Sequence, residues 1–221
     1  MLALRFHQTL QFWKQNLWPL FIVTVPFSLA SLAVETYWHS PFDVVDEQLS
    51  IHSGAMVASV LLWTLATGTL VAQLASIQSG KPQSLFFCLS VALRVGPPLL
   101  IASLLMAGAV GIGLMLFILP GIWLYARFSM LPFVLVLQQR NPIESLKASF
   151  QMTEKQQLPL MLGMVMLTLI VFSLSNMLTV LLLQIPDLGK ETALAIAAPV
   201  YGLLSSLVTV FIFLFYLEPT E

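Results

Sequence analysis

The chain has very little charge: 9% of its 221 residues are Asp, Glu, Lys or Arg, against about a quarter in ordinary soluble domains. With 58% hydrophobic residues and a mean hydropathy of +0.93, a water-soluble fold of this length is excluded, because it could not hide that much apolar surface. No surplus of positive charge exists either, since nine Lys and Arg meet ten Asp and Glu for a net charge of -1. No basic face can neutralise a run of phosphates, which excludes a nucleic-acid partner. The single cysteine, Cys88, excludes an intramolecular disulfide and fits no metal-ligand spacing. G-x-S-x-G, H-E-x-x-H and P-loop signatures are missing, and with them the familiar marks of hydrolases and nucleotide enzymes. The expectation is a protein without cofactor or catalytic activity.

What the chain does have is long uncharged runs. They cover Gln15–Val34, Gln48–Gly80, Val95–Ala126, Gln156–Pro186 and Thr192–Leu217. If Arg127 is passed over, the third continues to Gln139, about 45 residues or roughly 65 Å of helix at 1.5 Å per residue. A hydrocarbon core of about 30 Å takes that length only as two crossings. Leu119-Pro120-Gly121 marks the break, because proline suits a helix start and glycine a tight reversal. The expected fold is an all-α polytopic membrane protein, one membrane domain over 1–221, with spans at about 18–38, 55–78, 97–118, 120–139, 158–182 and 194–217. The run after Lys14 is 20 residues long, enough to cross, so it reads as a retained span and not as a cleaved leader.

Lys and Arg are distributed unevenly between the connecting segments. One side receives Arg5, Lys14, Lys81, Arg94, Arg140, Lys147 and Lys155, the other only Lys190. The positive-inside rule therefore puts both termini in the cytoplasm. The first outer loop, ETYWHSPFDVVDEQLSIHSG, has four acidic residues and no basic one. Its His39, Asp43, Asp46, Glu47 and His52 match no standard metal spacing and read as a solvated loop. Three times a polar or basic helix meets a proline and then an apolar run: FWKQNLWPLF, ALRVGPPLLI and TEKQQLPLML. This predicts three units, each an interfacial amphipathic helix (about 2–16, 82–95 and 142–156) followed by a two-span hairpin. Arg5, Lys14, Arg94, Arg140, Lys147 and Lys155 would then lie near phospholipid headgroups. Asn141-Pro142-Ile143-Glu144 carries the marks of a helix start, with Asn141 as N-cap.

The stretch LPGIWLYARFSMLPFVLVLQQRNPIESLKASFQMTEKQ resembles the YciC-like family of bacterial inner-membrane proteins. More loosely, it is similar to the membrane domain attached to some glycerophosphodiester phosphodiesterases. The shared features are Pro120-Gly121 after an apolar span, Pro132-Phe133-Val134-Leu135, and the helix Glu144–Phe150 with basic flanks. The resemblance implies a six-span protein of the bacterial inner membrane with no established activity and no catalytic residues.

Arg127 is the unusual residue. A charge inside a membrane costs about 2.5–3.5 kcal/mol on insertion scales and usually faces protein or a cavity. It is expected either to tether the bundle, through carbonyls near the LPG break or through Glu35, or to contact an anion. Thr24, Ser28, Ser31 and Glu35 share one helix face, as do Thr168, Ser175 and Thr179, with Asn176 beside them. Such hydroxyl rows serve helix packing or line a polar path. Ala107/Gly111 and Ala109/Gly113 make small-xxx-small rows suited to a close helix neighbour. The functional expectation is a role in cell-envelope or lipid homeostasis, through phospholipid contacts and an envelope protein partner. The alternative is a transporter or lipid-translocating protein for an anionic substrate, using Arg127 with Glu35.

Overall fold

The computed structural model describes residues 2–38, 42–45, 48–186 and 188–217, with 42–45 and 48–51 described by their backbone alone. In chain order the elements are α1 (Leu2–Gln15), α2 (Leu17–Trp38), β1 (Phe42–Val45), β2 (Gln48–Ile51), α3 (Ser53–Gln78), α4 (Leu85–Leu116), α5 (Ile118–Phe128), α6 (Leu131–Gln138), α7 (Pro142–Met152), α8 (Gln157–Leu183) and α9 (Lys190–Leu217). Among the described residues six stretches are long and apolar enough to cross a membrane: α2, α3, α4, α5 with α6, α8 and α9. The chain is thus an α-helical polytopic membrane protein, with spans where the uncharged runs put them. A small antiparallel hairpin, Phe42 opposite Ile51, is added between α2 and α3.

Two details depart from the sequence reading. The expected interfacial helix at 82–95 is not separate, because α4 runs unbroken through Pro97 and Pro98. These prolines leave the carbonyls of Leu93 and Arg94 without helical donors. Both residues are exposed, so water or headgroups can satisfy those carbonyls without ending the helix. The fourth span, in contrast, is interrupted between Phe128 and Leu131. Pro132 cannot donate to the Phe128 carbonyl, and the ladder breaks there.

The closed end of the bundle is where α9 finishes and α1 docks. Phe6 stacks on Phe211 at 5.4 Å between centroids, and Trp13 Nε1 donates to the Ser206 hydroxyl at 3.0 Å. Phe133 stacks on both Phe213 and Tyr216 at 5.6 Å. Each such pair is worth about 0.5–1.5 kcal/mol beyond its buried area. Around them are the fully buried Leu20, Val71, Leu74, Leu99, Leu131 and Leu160, one or more from each crossing other than α9, which supplies the rings. At Gly163 there is no room for a Cβ against the Phe211 ring, so that ring of α9 lies directly on the α8 backbone. At Gly202 an added Cβ would stand 2.8 Å from the Ser28 Cβ, which fixes the α2–α9 approach. Of the two small-residue rows in α4, only the one ending at Gly113 is used, against Gly121 of α5, where an added Cβ would lie 3.0 Å from the Gly121 Cα. Gly111 has open space where a Cβ would be.

Candidate functional site

Above that core the helices separate around a cavity of about 740 Å³, well within the roughly 300–1,000 Å³ of small-molecule sites. Its floor is the buried Val23, Val71, Leu131 and Phe133. Away from the floor its lining is exposed at Ser31 and Glu35 of α2, Trp63 of α3, Tyr125 of α5, Asn176 of α8 and Tyr201 of α9, while Ser103 and Met106 of α4 stay buried. The cavity is therefore closed at the core and open toward the ends of the helices at Trp38, Leu183 and Lys190. Both hydroxyl rows read from the sequence face it. Thr24, Ser28, Ser31 and Glu35 come from α2, and Thr168, Ser175, Asn176 and Thr179 from α8. Thr67 of α3, Ser103 of α4, Ser129 at the α5–α6 break, and Ser205 and Thr209 of α9 add to the polar lining. These five carry no sequence signal, because a lone Ser or Thr in an apolar span looks the same wherever it points.

Six of the lining hydroxyls share one chemical character. Thr24 Oγ1 donates to the Leu20 carbonyl, Ser28 Oγ to Val25 and Thr67 Oγ1 to Trp63, at 2.8–2.9 Å. Ser129 Oγ donates to Ala126, Ser205 Oγ to Gly202 and Thr179 Oγ1 to Ser175 in the same range. A carbonyl only accepts, so each hydroxyl proton is committed to its own helix and a lone pair is left for the cavity. Glu35, an acceptor when ionised, is the one charged side chain in the lining among the described residues. Those six hydroxyls and Glu35 offer acceptors to the cavity, and Ser31, Ser103, Thr168, Ser175 and Thr209 add further hydroxyls.

Arg127 is not part of this wall. It is 8% exposed, and its Nη1 donates to the Phe150 carbonyl of α7 at 3.0 Å. The guanidinium lies over the Phe150 ring at 4.5 Å and the Trp123 ring at 5.2 Å. It makes no ion pair with Glu35, which lines the cavity, and no bond to the LPG break; its partner is on another helix. The reason is electrostatic. Phe150 is in the last turn of α7, whose final carbonyls lack helical donors and carry the negative end of the dipole. The Arg127 carbonyl, in the last turn of α5, is in the same condition. It accepts from Ser149 Oγ at 2.8 Å and Thr153 Oγ1 at 3.2 Å. Two helix C-termini thus cap one another, with a buried cation between them. The sequence pointed to Arg127 but not to Ser149 or Thr153, which look like ordinary polar residues of an amphipathic helix.

α7 reaches this position by folding back. Gln139 ends α6 with φ of 51°, a left-handed residue that reverses the chain. Asn141 Oδ1 then accepts from the Glu144 amide at 3.0 Å, the N-cap that the spacing predicts. Of the residues assigned to lipid headgroups, Lys14, Arg94, Arg140, Lys147 and Lys155 are exposed. Arg5 is half-buried, with its guanidinium 5.1 Å from the Phe215 ring centroid. Among the described residues no group of three His, Cys, Asp or Glu side chains could hold a metal ion. His39, Asp46 and Glu47 lie outside them, and the Asp43 side chain is not described.

These features define an integral membrane protein with a one-ended cavity over a packed core. No family model, curated protein or solved structure matches the chain.

Proposed function

We propose that the protein belongs to a bacterial inner membrane, is related to the YciC-like family, has both termini in the cytoplasm, and serves lipid or envelope homeostasis without catalysis by holding an amphiphile in its cavity. The observation that carries this reading is the cavity itself: apolar at its floor, hydroxyl-lined above, and open at one end. In a bilayer such a space fills with lipid, because unsatisfied polar groups and empty apolar volume are both costly there. The uneven loop charge, seven basic residues against one, supports the orientation and turns the open end toward the outer leaflet. Exposed basic residues at the opposite end suit anionic headgroups. Passage of an anion is the weaker reading, because Arg127 bonds to α7 and the cavity lining has no cation among the described residues.

The test is purification in a mild detergent, followed by mass spectrometry of bound lipid and protein. A near-stoichiometric lipid, lost when Ala198 in the cavity wall is changed to Phe, is the expected result. A lipid-free protein with a tightly bound protein partner would replace this reading with a scaffolding role.

A further inference from the structure

We infer that the cavity is a site for an amphiphile bearing a protonated amine, its head at Glu35 and its chain running toward Phe133. This rests on the amphiphile-holding reading above and adds the class of headgroup. Three observations converge on it. First, Glu35 is at the mouth, exposed, with no basic side chain beside it in the lining. Second, six hydroxyls around the wall have spent their protons on their own helices and offer only lone pairs. An ammonium group has three donors and no acceptor, so it suits those lone pairs and the Glu35 carboxylate, whereas a phosphate or carboxylate group meets a like charge at Glu35. Third, in sequence the segments from Glu35 to α3 and from α8 to Glu191 are acidic, with six Asp and Glu against Lys190 alone, a balance that favours cations.

The depth suits the same ligand. Thr24 lies near the floor and Glu35 at the mouth, eleven residues apart on α2, or about 16 Å at helical rise. That is about half the hydrocarbon thickness, so an alkyl chain entering from one leaflet reaches the floor while its head stays at the surface. Trp63 and Tyr201, both half exposed in the lining and deeper than Glu35, are placed to pack on the methylenes below the head.

The test uses the full chain in nanodiscs containing equal amounts of phosphatidylethanolamine and phosphatidylglycerol with identical acyl chains, and native mass spectrometry of the retained lipid. About tenfold enrichment of the amine lipid is expected, the magnitude of one close charge pair in a partly screened site. Glu35→Gln should bring that ratio to within about twofold of parity while leaving the melting curve unchanged. Displacement of bound phosphatidylethanolamine by hexadecylamine supports an amine on a chain as the recognised unit. Displacement only by another aminophospholipid supports the same ammonium site with the phospholipid as its source. Equal retention of the two lipids by the unmodified chain, or an unaltered ratio in Glu35→Gln, overturns the headgroup assignment. Ala198→Phe, and Ala66→Phe from the opposite wall, separate the two claims. If both fold and keep their full lipid complement, the cavity reading itself is overturned. If they lose it while Glu35→Gln leaves the ratio unaltered, only the headgroup assignment falls.

Discussion

The two ends of the bundle are built on opposite terms. At the closed end aromatic rings pack α1 and α6 against α9, and reciprocal helix caps with a buried arginine join α5 to α7. At the open end, α2, α3, α8 and α9 continue past one another around a cavity, and their polar groups turn inward without bonding across it. In α2 and α8 only 11% of the most apolar window is buried within the protein, against 50% in α5 with α6. Because lipid tails are as apolar as leucine, apolar burial alone draws membrane helices together only weakly; packing and hydrogen bonds decide. The closed end has both, and the open end has been left without them. Stability and ligand contact are thereby assigned to different parts of the same helices.

Mutations can break this division, and the largest effect is expected at Arg127. Arg127→Ala removes a charged hydrogen bond to Phe150, two ring contacts and the cap on α7, a loss of about 2–4 kcal/mol. Thermal unfolding in detergent should show it, with bound lipid unaltered at temperatures where the variant remains folded. Arg127→Lys should recover less than half, because an ammonium lacks the planar fork that both bonds and stacks. A variant that melts normally but loses its lipid would move Arg127 from the scaffold to the site.

Next comes Gly163→Ala, which drives a methyl group into the Phe211 ring. That ring is held between Phe6 and Phe215 and cannot move without lifting α1, at a cost of about 1–3 kcal/mol. Protease cleavage within α1 is the direct readout. Ser149→Ala and Thr153→Val share the Arg127 carbonyl as acceptor. Each should cost about 1 kcal/mol, and the pair less than the sum of singles plus a fully stranded carbonyl. At the open end the sign of the comparison reverses. Ser175→Ala, at a buried hydroxyl without a partner, should change stability by no more than about 0.5 kcal/mol. Its effect should appear in lipid retention. If Ser175→Ala destabilises as much as Ser149→Ala, the two ends are not built differently and the division fails.

Much of the architecture was legible because the signal is strong and local. Twenty uncharged residues in a row have few explanations, and Asn141-Pro142-Ile143-Glu144 specifies its own helix start. The site was legible only by halves. Spacing placed Thr24, Ser28, Ser31 and Glu35 on one face and Thr168, Ser175 and Thr179 on another, but nothing in spacing says that two faces look at each other. Arg127 was conspicuous for its cost, yet its partner was misread, because the sequence does not show where α7 returns. The continuity of α4 through Pro97-Pro98 was also hidden, since whether a proline ends a helix depends on what satisfies the carbonyls it leaves.

By itself the sequence determined the solvent, the number of crossings and the residues that could not be idle. These follow from transfer free energies and helical period, which act over a few neighbouring residues. Only the tertiary structure decided that Arg127 joins two helix ends, that two hydroxyl rows share one cavity, and that this cavity accepts hydrogen bonds and is closed at one end. Those outcomes depend on which helix meets which, and that is set by packing between residues far apart in the chain.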